Sequence, residues 1–138
     1  LKGFSLISLG RIGGPLAIKY LETVVRRGPG TDAPWACLGL GFALQYVKDD
    51  EAAQHMLHQA ENHANRSTRG AAAIGLGLAR YEKAVDVLIR MMATGDDPWY
   101  RGYCAMALGM MGDPKAGPPL RATLKSHSTL TMRLSRSR

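Results

Sequence analysis

The stretch AAAIGLGLARYEKA, residues 71–84, admits two readings. Its glycines, Gly75 and Gly77, could belong to a phosphate-cradling loop, or they could lie inside one helix of a repeated helical unit. A dinucleotide loop needs a strand before it, a helix after it, the full GxGxxG spacing and an acid downstream. Here the glycines follow a helical run and the third glycine is missing. They are better read as small surfaces that let neighbouring helices approach closely. Each costs about 1 kcal/mol of helix propensity relative to alanine, so packing between units must offset that cost.

Working outward from this stretch exposes a repeat. Ala84 is followed four residues later by Leu88, and the same pair recurs as Ala17/Leu21, Ala53/Leu57 and Ala116/Leu120. The alanines are 36, 31 and 32 residues apart. Eight residues before them stand Leu9, Gln45, Leu76 and Leu108, and all but Gln45 precede a glycine. Fifteen residues before them stand Lys2, Leu38, Arg69 and Arg101, each followed by glycine. The i, i+4 spacing puts each Ala/Leu pair on one helix face. Each unit therefore reads as two helices, A near 1–10, 34–46, 66–78 and 98–110, and B near 15–27, 50–63, 81–93 and 116–126. Segments such as RRGPGTDAP, VKDD and TGDDP punctuate them. Asp97 before Pro98 reads as an N-cap with proline in the first helical position, and Asn65 is its counterpart one unit earlier. Pro118 and Pro119 fit only the first turn of the last helix.

At DPWYRGYCAMALGMMGDPKAGPPLRATL, residues 97–124, the chain resembles a HEAT repeat, most closely the short form of the phycobilin-lyase-like group. Asp97, Arg101, Ala107, Leu108, Gly109, Gly112, Asp113, Ala116, Pro118 and Leu120 fill that pattern. Residues 65–92 match less fully, residues 1–25 match as a truncated unit, and the second unit departs at Pro34, Leu38 and Gln45. The small-residue helices are also similar to the proteasome/cyclosome type of helical repeat. The resemblance implies an all-α, right-handed α-solenoid of about four helix-pair repeats, at 1–27, 34–63, 65–93 and 97–126, with B helices lining the concave face. It also implies a ladder between units built by Asn65, Arg69, Asp97 and Arg101. Residues 127–138, rich in Ser and Arg, are expected to form a disordered tail.

Composition narrows the function. The 138 residues are enough for one domain with a core. The net charge is +7, but Arg133, Arg136 and Arg138 lie at the extreme C-terminus, so the rest of the chain is only mildly basic. The longest uncharged run, Ala33–Val47, has 15 residues and falls short of a bilayer span. Cys37 and Cys104 sit in apolar helical stretches and read as small core residues. The chain opens inside an apolar pattern without methionine, so we read it as part of a longer protein, with the cytoplasm the favoured compartment.

Candidate contacts follow from the repeat. His55 and His58 lie one turn apart on a B helix, with Glu51 one turn before His55. That spacing can hold a metal, yet the equivalent positions in other units are mostly solvent-facing types, so the histidines read as partner contacts and no metal or cofactor is expected. Arg26, Arg90, Arg121 and Lys125 fall on one side of successive B helices, where they could meet an acidic protein or a nucleic-acid backbone. Trp35 and Trp99 each follow a proline at a helix start and would anchor an interface if exposed. No nucleophile–base arrangement is recognisable. The expectation is a non-enzymatic protein-binding scaffold working through the concave face of the B helices. Phosphate-backbone binding by a basic concave face, and a phycobilin-lyase-like activity, are the alternatives.

Overall fold

The computed structural model describes residues 1–136. Eight α-helices follow one another: α1 (Lys2–Ile12), α2 (Pro15–Arg27), α3 (Ala33–Ala43), α4 (Asp50–Asn62), α5 (Arg66–Ala79), α6 (Val85–Thr94), α7 (Pro98–Met111) and α8 (Gly117–Arg136). Single 3-10 turns, Glu82–Ala84 and Pro114–Ala116, lead into α6 and α8. The described residues contain no strand, and the chain is an all-α solenoid of helix pairs.

Local chemistry sets the boundaries. Side-chain carboxylates or amides close the N-termini of three helices: Asp49 accepts from the Ala52 amide at 3.0 Å, Asn65 from Ser67 at 2.8 Å, and Asp97 from Trp99 at 3.0 Å. Gly112 ends α7 in the left-handed conformation, φ 66°. Arg80 ends α5 in the same conformation, φ 52°, the one non-glycine residue with positive φ among those described. A side chain there is strained, by about 1 kcal/mol for the left-handed region. Arg80→Gly is therefore expected to raise the stability by about 1 kcal/mol in urea unfolding.

Two expected boundaries differ. The third helix stops at Ala43, so Gln45 and Tyr46 fall beyond its end and are exposed. The last helix runs to Arg136, through most of the segment expected to be a disordered tail. After Pro119 there is neither glycine nor proline to stop it. Ser137 and Arg138 lie outside the described residues.

The A helices pack in succession, α1 on α3, α3 on α5 and α5 on α7. Glycines set this spacing. A methyl group on Gly10 would collide with the Gly39 carbonyl, one on Gly41 would sit 2.6 Å from the Gly75 carbonyl, and one on Gly77 2.8 Å from Ala107 Cα. Each B helix lies mainly against the A helix of the following unit: α2 on α3, α4 on α5, α6 on α7. The units thus interlock. The Ala/Leu stripes form the core, with Ala17, Leu21, Ala53, Leu57, Ala84, Leu88 and Ala116 all buried and Leu120 half-buried. Cys37 and Cys104 are free thiols within that core, and burial pushes them up to about 12 and about 11.

Candidate protein-binding surface

The B helices carry most of the charged residues singled out from sequence, and the fold joins several of them across unit boundaries. His55 Nδ1 lies 2.6 Å from Glu22 Oε1, linking α4 to α2. Arg26 approaches the same oxygen at 3.9 Å. Glu22, Glu51 and His55 bring their donor atoms within 4.8 Å of one another, the one group of three among the described residues that could hold a metal ion. His58 is outside that group and exposed. Arg90 pairs with Glu61 at 3.2 Å, joining α6 to α4. Nearer the A–B turns, Lys83 and the Tyr81 hydroxyl both donate to Asp50 Oδ1 at 2.8 Å, and Gln54 donates to Tyr81. The Lys83 and Tyr81 bonds hold the Asp50 carboxyl below its ordinary range. Arg121 and Lys125 are exposed on α8.

The expected ladder of Asn65, Arg69, Asp97 and Arg101 is divided among three jobs. Asn65 and Asp97 cap their own helices. Asp97 then pairs at 3.4 Å with Arg66 at the start of α5, not with Arg69. Lys2 at the start of α1 meets Asp32 in the same way at 2.7 Å. Arg69 and Arg101 instead reach the ends of the preceding B helices. Arg69 donates to the His63 carbonyl at 3.1 Å and lies over the Tyr100 ring, and Arg101 donates to the Met92 carbonyl at 2.6 Å. Those carbonyls have no partner within their own helix, and a guanidinium satisfies them with a favourable charge. Four residues after the cap, each arginine is turned back toward the previous unit. Tyr100, buried beside Arg69, donates its hydroxyl to the Ala60 carbonyl, and burial raises its pKa well above the usual phenol range.

The A layer holds what the charge pattern did not reveal. A groove of about 340 Å³ crosses α3, α5 and α7, lined by Leu38, Arg66, Gly70, Ile74, Trp99 and Tyr103 among others. The Tyr103 ring lies over Gly70, where a methyl group would come within 2.6 Å of it. Trp99 is 70% exposed at the groove. Trp35 is 38% exposed; it covers Gly3 and meets Phe4 edge-on, with centroids 5.5 Å apart. The fold therefore separates the two tryptophans: Trp99 projects, whereas Trp35 is packed on α1. Leu38, Ile74 and Tyr103 were not singled out from sequence. One signal for Leu38 was present, since it stands where Arg69 and Arg101 stand in their units.

No helix among the described residues is long and apolar enough to cross a membrane. No curated protein matches the chain. The family model for HEAT repeats matches residues 53–135, well over half of the sequence, and covers the interlocked helices from α4 to α8. With its capped helix pairs, Ala/Leu core stripes and glycine-spaced stacking, the chain belongs to the HEAT-repeat family.

Proposed function

We propose that this protein is a non-catalytic scaffold that binds another protein through the A-layer groove, with Trp99 as the anchor. Protein binding is what HEAT repeats commonly do. The observation that carries the choice of surface is the 70% exposure of Trp99 beside an apolar groove. A largely exposed indole next to Leu38, Ile74 and Tyr103 gains most when a partner's apolar side chain completes its burial. Arg66 stands at the same groove and offers a hydrogen-bond donor to the partner's backbone or carboxylates.

A second reading places the partner on the B helices, which the resemblance assigns to the concave face. Exposure of His58, Arg121 and Lys125 favours it. His55 and Arg90 favour it less, because each is already engaged with a glutamate of the preceding unit. Those carboxylates also interrupt the basic row that a phosphate backbone would need.

The test is capture of partners from the source lysate, with and without nuclease, followed by affinity measurement on the recovered protein. Trp99→Ala is expected to weaken binding about tenfold while helicity and melting stay unchanged. Arg121→Glu is expected to leave the affinity as it is. The reverse pattern assigns the partner to the B helices, and recovery that collapses on nuclease treatment assigns the surface to nucleic acid.

A further inference from the structure

Glu22, Glu51 and His55 are brought together by the packing of two units. Glu51 and His55 stand one turn apart on α4, so one helix face carries both. Glu22 comes from α2 of the preceding unit. Its carboxylate lies 2.6 Å from His55 Nδ1, and one donor atom from each of the three side chains lies within 4.8 Å of the other two. The Glu22–His55 contact alone is an ordinary link between units. Glu51 is what that link does not explain. It makes no hydrogen bond or ion pair with another described residue, yet its carboxylate is held beside a second carboxylate. Two like charges so placed repel, and a cation shared between them reverses the sign of the interaction. Arg26 supplies part of that charge at 3.9 Å from Glu22, with a side chain exposed enough to turn into solvent.

The repeat shows how specific the arrangement is. Glu51, His55 and Glu22 stand two before, two after and five after the alanine of the core stripe in their units. One unit on, the same three places hold Glu82, Asp86 and His58, again two acids and one histidine. There Glu82 lies in the 3-10 turn that leads into α6, whereas Glu51 lies within α4, so Glu82 and Asp86 do not share one α-helical face. Among the described residues only Glu22, Glu51 and His55 converge.

We propose that Glu22, Glu51 and His55 form a binding site for a divalent transition-metal ion of the zinc type, which clips α2 to α4. An imidazole nitrogen with two carboxylate oxygens is a donor set for zinc and its neighbours, whereas calcium and magnesium take oxygen ligands. Bonds of about 2.1 Å place the donors of a tetrahedral ion roughly 3.3 Å apart. Glu22 and His55 must therefore part slightly while Glu51 closes in, and none of the three is fully buried, so side-chain rotation suffices. Three protein ligands leave a fourth position to water. The site lies on the B helices, away from the groove beside Trp99, and the proposal holds whatever partner the groove takes.

Titration of the full chain with Zn2+, read by calorimetry and by thermal melting, tests this. The wild type is expected to take up one ion per chain and to melt at a higher temperature with Zn2+ than with EDTA, because only the folded chain assembles the three donors. Glu51→Gln removes a donor without breaking a contact. It is expected to weaken binding at least about tenfold, the least that losing even a ligand-orienting group costs, and to leave melting in EDTA unchanged. Glu22→Gln and His55→Gln are expected to weaken binding likewise. His58→Gln, exposed on α4 and outside the group, is expected to bind as the wild type does. Should Glu22→Gln or His55→Gln lose helicity, Glu51→Gln against His58→Gln decides. A wild type that takes up no Zn2+, a Glu51→Gln variant that binds as the wild type does, or a loss of binding in His58→Gln alone would each overturn the proposal.

Discussion

Gly75→Ala is expected to lower the free energy of unfolding by about 3 kcal/mol, at the upper end of the cost of overpacking a core. The added methyl would lie 2.5 Å from the Cys37 carbonyl and 2.6 Å from Met56 Sδ. The methionine can turn aside, but the carbonyl is backbone and can move only with α3. Alanine is otherwise the better helix former, by about 1 kcal/mol. The matched control is Gly109→Ala, whose methyl meets nothing within 4 Å and which is expected to stabilise by about that amount. Urea unfolding of both variants, fitted with a common m-value, checks the pair. A Gly75→Ala variant that gains stability, as Gly109→Ala is expected to, would mean that helix propensity, not the approach of α3 to α5, governs these positions.

Leu76→Ala, one residue further on, is expected to cost about 3 kcal/mol, the cost of removing a large side chain from a tight core. Leu76 is fully buried among helices that glycines and alanines have already drawn close, so the neighbouring backbone has little freedom to collapse into the space. The position aligned with it in the second unit is Gln45, which is exposed beyond the end of α3. Gln45→Ala is therefore expected to change stability by less than about 0.5 kcal/mol. Thermal melting of the two variants separates a repeat position that is structural from one that only aligns.

These contrasts mark how far the candidate surface could be read in advance. Trp99 followed from its place after Pro98, because a bulky aromatic in the first turn of a helix either packs or projects. Choosing between those outcomes needed the neighbouring unit: Trp35 lands on Gly3 of α1 and is covered, whereas on α7 it is Tyr103 that lands on Gly70 of α5, and Trp99 is left exposed. The groove itself is assembled from α3, α5 and α7, whose lining residues are up to 65 positions apart, from Leu38 to Tyr103. No local pattern reports such a contact. His55 and Arg90 were recognisable as polar B-helix positions, but their partners, Glu22 and Glu61, come from the preceding unit.

By itself the sequence determined the repeat period, the helix pairs and the core stripe, since these rest on local periodicity, caps and glycine or proline stops that act within a few residues. Ala17/Leu21 through Ala84/Leu88 are buried because a 3.6-residue period leaves them no other face. The tertiary structure alone decided which helix each face meets. The B helices pack onto the A helices of the next unit, and Arg69 and Arg101 turn back to the helix ends behind them. Arg66 takes the place beside Asp97. Those choices depend on how closely neighbouring backbones approach, and a missing side chain at Gly10, Gly41 or Gly77 sets that distance only once the facing helix is in place.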